Sequence, residues 1–323
     1  MNDDYLPAKD RAEREITTRP SLLTAWLLAA RPKTLTAASV PVVVGLALAA
    51  RDLASGAVMS ETGAFLWIPA FCCLGFALLA QVAANFINDY ADYKKGADGK
   101  ERKGPARAVA SGWITPRAML IGVFVALGAA CCFGLATIPY GGWKLIIVGL
   151  VSCVFCLLYS AGPCPLAYVG LGDVLVVSFF GFVAVAFTYF LQTQTITLDA
   201  TLIGLAIGFA TDNILVANNY RDRDEDRQNR KFTLIALFGE PFGRWFYLAN
   251  GFVAALLAAL VFSRNADWGA LSFATLFAYL GVHWQAWRTL CRIRSGAALV
   301  RVLALSSKNL LTLGVLLSFA LLF

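Results

Sequence analysis

One stretch of the chain joins a long apolar segment to a set of amide and carboxylate side chains. Asn85, Asp89 and Asp92 lie at positions i, i+4 and i+7, so in a helix they share one face. Hard divalent cations such as Mg²⁺ prefer oxygen ligands, often one or two carboxylates together with phosphate oxygens. The spacing therefore predicts a site for a cation, or for an anion that a cation carries.

A second stretch repeats this pattern in the other half of the chain. Asn219, Asp222 and Asp226 lie at i, i+3 and i+7 after another apolar segment, and basic residues follow both stretches. Two aspartate pairs with arginine and lysine nearby are typical of a site for Mg²⁺ and a diphosphate, because the cations offset the charge of the phosphate oxygens. The alternative is that these are solvated loop charges, but two such stretches at matching positions favour a site.

The composition places both stretches in a membrane protein. Of the 323 residues, 59% are hydrophobic and only 15% are charged, against roughly 25% in a typical soluble protein. Several uncharged runs exceed the ~20 residues that a helix needs to cross a bilayer. We therefore predict an all-α fold, a polytopic membrane protein with nine transmembrane helices around a central cavity. The predicted helices span about 22–50, 65–88, 117–137, 143–160, 170–191, 199–220, 242–262, 268–288 and 300–323.

We predict one membrane-embedded domain over residues 21–323, preceded by a mobile cytoplasmic tail at 1–20. A weak internal repeat relates residues 21–160 to residues 169–290, with the last helix at 300–323 outside it. The repeat is visible because the second helix of each block ends in asparagine and spaced aspartates. A parallel duplication would place the two acidic stretches across a shared cavity.

The basic residues predict the orientation in the membrane. Most of the 27 lysines and arginines lie in segments that nine helices would place on the side of the N-terminus, whereas the opposite connections hold only Arg51, Lys144 and Arg264. Because basic residues favour the cytoplasmic side, we expect the N-terminus and both acidic stretches to face the cytoplasm. This clustering also accounts for the net charge of +7 without nucleic acid as a partner.

A diphosphate site in a membrane protein suggests an isoprenoid diphosphate, whose hydrocarbon tail can lie in the lipid. Loss of diphosphate from an allylic carbon leaves a carbocation, which survives where water is excluded and which aromatic rings can stabilise. We expect most aromatic residues to pack or to lie at the membrane interface. Tyr159 and Tyr189, near polar breaks in the apolar pattern, are candidates for the cavity wall.

In these residues the chain resembles the UbiA superfamily of membrane prenyltransferases, over nearly its whole length from about residue 25. Members of the superfamily have an asparagine- and aspartate-rich motif after the second helix and an Asp-x3-Asp motif after the sixth. Asn85-x3-Asp89-x2-Asp92 and Asp222-x3-Asp226 resemble these two motifs. The resemblance implies the helical membrane fold that the composition also predicts.

Several strings are most similar to one branch of the superfamily, which prenylates 1,4-dihydroxy-2-naphthoate in menaquinone biosynthesis. They are Ala29-Ala-Arg-Pro-Lys-Thr34, Asn88-Asp-Tyr-Ala-Asp-Tyr-Lys-Lys-Gly-Ala-Asp98, Ser111-Gly-Trp-Ile-Thr-Pro116, Tyr159-Ser-Ala-Gly-Pro-Cys-Pro-Leu-Ala-Tyr168 and Asn218-Asn-Tyr-Arg-Asp222. The x2 spacing before Asp92 and the doubled Asn218-Asn219 distinguish this branch from those that act on hydroxybenzoate or on haem and chlorophyll precursors.

The resemblance implies a reaction and the residues that perform it. A polyprenyl group would pass from polyprenyl diphosphate to the naphthoate ring with loss of diphosphate and CO₂, giving a demethylmenaquinol, at a bacterial cytoplasmic membrane. The expected Mg²⁺ ligands are Asp89, Asp92, Asp222 and Asp226, which form the catalytic set, with Asn85 and Asn219 in support. The residues expected at the diphosphate are Lys94, Arg107, Arg221 and Lys231, and weaker candidates at the acceptor are Arg31, Lys33 and Tyr159.

The sequence leaves open the roles of two charged residues and three alternative functions. Asp212 shares a helical face with Asn219, so it either lines the cavity or is buried and paired, and Lys308 falls inside the last predicted helix. A different acceptor, hydroxybenzoate or homogentisate, would use the same chemistry. A CDP-alcohol phosphotransferase is disfavoured by the motif spacing, and a membrane transporter is disfavoured because both acidic stretches lie at helix ends.

Overall fold

The computed structural model describes residues 19–58, 64–96, 106–264 and 270–322. Within these residues the chain forms helices and turns and contains no strand, which confirms the predicted all-α fold. The tail predicted at 1–20 lies outside the described residues except for its last two positions.

The longer helices pack side by side as a bundle. In chain order they are α1 (Leu22–Ala30), α2 (Leu35–Ala54), α3 (Trp67–Lys94), α4 (Pro116–Leu135), α5 (Lys144–Ser160), α6 (Gly172–Thr193), α7 (Leu198–Gln228), α8 (Leu234–Arg264), α9 (Ala270–Ile293) and α10 (Val300–Leu322). In the described residues seven spans are long and apolar enough to cross a membrane, α1 and α2 counting as one. Helix α5 is apolar but shorter, and α9 is not among the seven. The predicted count of nine spans is therefore not confirmed, although each predicted position holds a helix.

The first span is broken near one end. Helix α1 ends at Ala30 because Arg31 adopts a left-handed conformation (φ 51°) and the residue before a proline disfavours helical geometry. The turn Pro32–Thr34 then leads into α2. Arg31 and Lys33 therefore lie in the break rather than within a continuous helix.

Helices α3 and α7 run further than the sequence predicts, to Lys94 and Gln228 instead of 88 and 220. Their last turns stay helical because polar side chains find partners on neighbouring segments. On α7, for example, the Arg227 guanidinium donates to the carbonyl oxygen of Ala236 at the start of α8. Both acidic stretches consequently lie inside helices, where each side chain has a fixed direction.

Helix α6 packs closely against α7 at a segment that also lines the central cavity. Val177–Val183 forms a π-helical segment, a feature frequent at functional sites. Gly181 lies in this segment, and a Cβ atom added to it would be 2.6 Å from the carbonyl oxygen of Gly204 and the Cα atom of Gly208 on α7. The two backbones touch only because these positions are glycine.

Helix α7 lies at the centre of the bundle and packs against α2, α6, α8 and α10. The apolar core around it includes the fully buried side chains of Ile203, Ile207, Tyr189, Phe262 and Leu310. Because lipid is as apolar as these side chains, their close van der Waals packing, rather than removal from water, stabilises this centre. The helix that ends in the second acidic stretch is thus held by apolar contacts on most of its length.

Candidate active site

The bundle encloses a cavity of about 580 Å³, as predicted. On α3 its lining residues run from Cys73 to Asn88, which at the helical rise corresponds to about 22 Å. One end is polar and basic, and most of the remaining wall is apolar with several phenylalanines. The polar end is lined by Arg31, Lys33, Thr34, Gln81, Asn85, Asn88, Arg107, Asn218 and Arg221. The phenylalanines of the wall are Phe76, Phe155, Phe179, Phe180 and Phe187.

Arg107 and its two partners, Asn88 and Asp92, form a cluster at the polar end that we call the first corner. Its Nη2 atom donates to Asn88 Oδ1 at 3.2 Å and to Asp92 Oδ2 at 2.5 Å. The Arg107 side chain is buried, and that of Asp92 is only 18% exposed, so the ion pair is largely shielded from water. The structure thus brings together two of the residues predicted for the metal and the diphosphate.

Arg221 forms the second corner in the same manner. Its Nη2 atom donates to Asn218 Oδ1 at 2.7 Å, and its Nε and Nη2 atoms donate to the two oxygens of Asp222, each at 2.6 Å. In both corners an arginine bridges an asparagine and an aspartate four residues apart. Asn88 and Asn218 were not predicted as site residues, and their shared Asn-x3-Asp spacing is the signal that identifies them.

Asp89 holds the segment that carries Arg107. The Asp89 side chain is buried, and its two oxygens accept hydrogen bonds from the backbone N–H groups of Ala108 at 3.0 Å and Val109 at 3.2 Å. The carboxylate was predicted to bind Mg²⁺, but here it fixes the backbone beside the arginine. Direct ligation by Asp89 stays a prediction.

Asn85 holds the break in the first span. Its Nδ2 atom donates to the carbonyl oxygen of Ala30 at 2.8 Å and to Thr34 Oγ1 at 3.0 Å. Its contacts therefore set the positions of Arg31 and Lys33, both of which line the polar end of the cavity. The structure gives Asn85 this positioning contact, and its predicted support of the metal stays a prediction.

Asp226 and Asn219 lie beside the cavity rather than on its wall. Asp226 Oδ1 accepts from Lys231 Nζ at 3.2 Å, while the buried Oδ2 atom has no hydrogen-bond partner among the described residues. Asn219 and Lys231 line a much smaller neighbouring cavity together with Tyr159 and Asp173. Tyr159 lines both cavities, so it lies between the large cavity and the second acidic stretch.

The two basic segments meet at the ring of Tyr168. Lys95 Nζ lies 3.8 Å from the centroid of this ring, and Lys231 Nζ lies 6.0 Å from it. Partial burial lowers the pKa of the Lys95 ammonium, the nearby charge of Lys231 lowers it further, and Asp92 raises it. Lys94, which was predicted at the diphosphate, is exposed and lies 5.9 Å from the ring of Tyr90. Both lysines are exposed, and Lys95 was missed because the sequence alone does not show which of them approaches Tyr168.

Asp212 and Lys308, the two charged residues whose roles the sequence leaves open, both lie away from the cavity wall. Asp212 is buried, and its Oδ2 atom accepts from Asn250 Nδ2 at 2.8 Å. The alternative of a buried, paired Asp212 is therefore the one observed. Lys308 is exposed on the outer face of α10.

The residues of the polar end fit Mg²⁺ by the chemistry of their donor atoms. Among the described residues no three histidine, cysteine, aspartate or glutamate side chains converge as a preformed metal cage. Mg²⁺, however, is usually held by one or two carboxylates together with substrate phosphates and water. Oxygens of Asn88 and Asp92 on one side, Asn218 and Asp222 on the other, and the unpartnered Oδ2 atom of Asp226 supply such donors. The site fits a metal that arrives with a polyphosphate.

Comparisons with known proteins give concordant results. The model of the UbiA prenyltransferase family matches residues 38–307. The 1,4-dihydroxy-2-naphthoate octaprenyltransferase of Escherichia coli (strain K12) is 34% identical over 255 residues, which cover 76% of this chain and 80% of that protein.

Two solved structures are similar in fold. The apo structure of a UbiA homologue from Aeropyrum pernix K1 has a TM-score of 0.64 at 16% identity and covers 87% of this chain and 96% of its own. A UbiA homologue from Archaeoglobus fulgidus bound to DMAPP and Mg²⁺ has a TM-score of 0.60 at 13% identity, with coverage of 92% and 98%. At this level of identity the two structures establish a common fold.

Proposed function

The chain belongs to the UbiA prenyltransferase family, and we propose that it transfers a polyprenyl group from polyprenyl diphosphate to 1,4-dihydroxy-2-naphthoate. Diphosphate and CO₂ leave, and the product is a demethylmenaquinol, an intermediate of menaquinone biosynthesis. The observation that carries this proposal is the cavity that joins the Arg107 and Arg221 corners to a long apolar wall. The basic end suits a diphosphate, and the apolar wall suits an isoprenoid tail.

The diphosphate binds between the two corners. Arg107 and Arg221 donate to its oxygens, with Lys231, Lys94 and the Lys95 side chain found in the structure adding positive charge. When bound, Mg²⁺ supplies further positive charge at the leaving group through the oxygens of Asp92, Asp222 and Asp226. In this proposal Asp89 acts by holding the backbone beside Arg107.

The apolar wall protects the reacting carbon. The bond between the first prenyl carbon and the diphosphate oxygen breaks, and the electron pair leaves with the diphosphate. The allylic cation then lies in a cavity whose walls exclude water. The phenylalanine rings that line this cavity, including Phe155 and Phe179, offer faces that attract a cation.

The acceptor binds next to the break in the first span. Arg31 and Lys33 meet its carboxylate, and Tyr159 contacts the ring at the boundary of the two cavities. The carbon that bears the carboxylate attacks the cation, and the electron pair of the bond to the carboxylate returns to the ring as CO₂ leaves. No proton has to be removed from this carbon.

The seven apolar spans make the chain an integral membrane protein. We place it in the bacterial cytoplasmic membrane, with the polar end of the cavity toward the cytoplasm, because basic residues cluster on that side. This orientation gives the anionic acceptor access from the cytoplasm and the polyprenyl diphosphate access from the lipid.

The function is tested with the full-length protein reconstituted in liposomes. The protein is incubated with a polyprenyl diphosphate, Mg²⁺ and, in turn, 1,4-dihydroxy-2-naphthoate, hydroxybenzoate or homogentisate, and the products are identified by mass spectrometry. We expect a demethylmenaquinol with the naphthoate, and loss of product when EDTA replaces Mg²⁺. Prenylation of another acceptor alone would contradict the assigned substrate. Cation flux without any prenylated product would favour a transporter.

A further inference from the structure

We propose that Tyr168 is a positioning residue that holds Lys95 and Lys231, one lysine from each half of the chain, as a paired binding site for the diphosphate group. This inference rests on the proposed function, whose diphosphate site it completes. It assigns a role to a residue outside both acidic stretches, and it selects Lys95 over its neighbour Lys94.

Tyr168 lies between the segment that follows α3 and the segment that follows α7. It ends the short turn Leu166–Tyr168 between α5 and α6. Its carbonyl oxygen accepts from the backbone N–H of Phe232 at 2.9 Å, which ties the turn to the residue after Lys231. On the other side, Lys95 Nζ donates to the carbonyl oxygen of Ser160 at 3.4 Å. The backbone thus ties the turn to the segment after Lys231, and the Lys95 side chain reaches the end of α5 that precedes the turn.

The ring of Tyr168 contacts the Lys95 ammonium and lies within cation–π range of the Lys231 ammonium. An ammonium within about 6 Å of a ring centroid is attracted by the ring face. Lys95, at 3.8 Å, is well within that range, and Lys231, at 6.0 Å, lies at its edge. Each lysine also lies near one acidic stretch, because Lys95 interacts electrostatically with Asp92 and Lys231 donates to Asp226.

Two ammonium groups held at one ring repel each other unless an anion lies between or beside them. The acids nearest to them are the same aspartates that we assign to the metal, so metal binding leaves the lysines less compensated. A diphosphate carries enough negative charge to interact with both lysines and with the two arginine corners. The pair therefore has the charge to bind the oxygens of this group, and each lysine lies beside one of the two acidic stretches.

The first experiment separates a positioning role from a structural one by comparing Tyr168→Leu with Tyr168→Phe. In liposomes, Tyr168→Leu should raise the KM for polyprenyl diphosphate and the inhibition constant of inorganic pyrophosphate by about three- to tenfold, from loss of the ring face. The KM for the naphthoate and kcat should not change. Tyr168→Phe keeps the ring and should behave as wild type, as should Tyr93→Leu, a control at a 43% exposed tyrosine nearby.

Several outcomes would overturn the inference. An unchanged Tyr168→Leu enzyme, a Tyr168→Phe enzyme as impaired as Tyr168→Leu, or a parallel change in kcat and both KM values would each contradict it. Lys95→Met provides a second test, which still applies if Tyr168→Leu does not fold. It should raise the KM for polyprenyl diphosphate more than Lys94→Met does, and Tyr168→Leu should then add less than it does in the wild-type protein, because only Lys231 remains at the ring. Additive effects would show that Tyr168 does not act through Lys95.

Failure of the inference is distinguishable from failure of the proposed function. If the wild-type protein prenylates a different acceptor, the same KM comparison applies, because the diphosphate substrate is shared. If it yields no prenylated product, calorimetric titration of wild type, Tyr168→Leu and Tyr168→Phe with pyrophosphate and Mg²⁺ still measures the anion site. Equal affinities in all three proteins would reject the role of Tyr168.

Discussion

Arg107 makes in the first half of the chain the contacts that Arg221 makes in the second. Each guanidinium donates to an asparagine and to an aspartate four residues further along the same helix. The arginine thereby keeps an amide oxygen and a carboxylate oxygen together at each side of the cavity. In the proposed function, this pairing would let two helices from different halves present matched oxygen sets to the Mg²⁺ that accompanies one diphosphate.

The arginine corners predict a specific loss on conservative replacement. Lysine keeps the charge but lacks the planar group that bridges two acceptors. Arg107→Lys and Arg221→Lys should each lower kcat/KM for polyprenyl diphosphate by about ten- to a hundredfold, from the loss of charge-assisted hydrogen bonds. Steady-state kinetics in liposomes measure this loss. Arg117→Lys, at an exposed position at the start of α4, is the control and should be unchanged; equal effects in all three would contradict the assignment.

Replacement of Asp89 should lower both stability and activity, whereas replacement of Asp92 should lower mainly activity. Asp89→Asn removes one of two acceptors for buried backbone N–H groups, so it should lower the free energy of unfolding by about 1–3 kcal/mol as well as activity. Asp92→Asn should abolish most activity with a smaller effect on stability, because the amide oxygen of asparagine can still accept the hydrogen bond that Arg107 Nη2 donates. Thermal unfolding in one detergent, together with turnover, measures both. If Asp89→Asn reduced activity but left stability intact, Asp89 would be a metal ligand instead.

The lowered pKa of Lys95 predicts the alkaline behaviour of the enzyme. Burial and the charge of Lys231 disfavour the protonated form, and Asp92 only partly offsets them. Lys95 therefore loses its proton at a lower pH than an ordinary lysine, and the KM for polyprenyl diphosphate should rise as the pH increases toward that point. Lys95→Arg should move the rise to higher pH, because a guanidinium stays protonated. The same KM profile in both proteins would show that another group controls it.

The glycine contact between α6 and α7 predicts a stability effect at a distance from the polar site. Gly181→Ala would place a methyl group 2.6 Å from backbone atoms of α7, and overpacking of this kind costs about 1–3 kcal/mol. Gly281→Ala on α9 meets open space and should be neutral or slightly stabilising. Melting temperatures of the two variants in the same detergent test this. Equal values would mean that α6 and α7 can move apart at little cost in free energy.

The sequence predicts the helices and the two acidic stretches, because apolar runs and helical spacing are local properties. It does not predict which polar side chain faces which neighbour. Asn85 was expected beside the metal, yet Asn88 contacts Arg107 while Asn85 contacts the break after α1. Asn85 and Asn88 are less than one helical turn apart. The packing of α3 against the segment around Ala108 decides which of them contacts Arg107.

The contribution of Tyr168 could not be predicted for a different reason. Its partners Lys95 and Lys231 are far apart in sequence and meet only after α3 and α7 have packed into one bundle. The same holds for Asp212, whose partner Asn250 lies on the next helix. Contacts between helices depend on how the whole core packs, and local patterns carry little information about them.

The most direct test of the central claim follows the carboxylate of the acceptor. Liposomes with the full-length protein are supplied with polyprenyl diphosphate, Mg²⁺ and 1,4-dihydroxy-2-naphthoate labelled with ¹³C at the carboxylate, and CO₂ and quinol products are measured by mass spectrometry. Labelled CO₂ and demethylmenaquinol should form in equal amounts, and Asp92→Asn should abolish both together. A prenylated product that retains the labelled carboxylate, or no prenylated product at all, would contradict it.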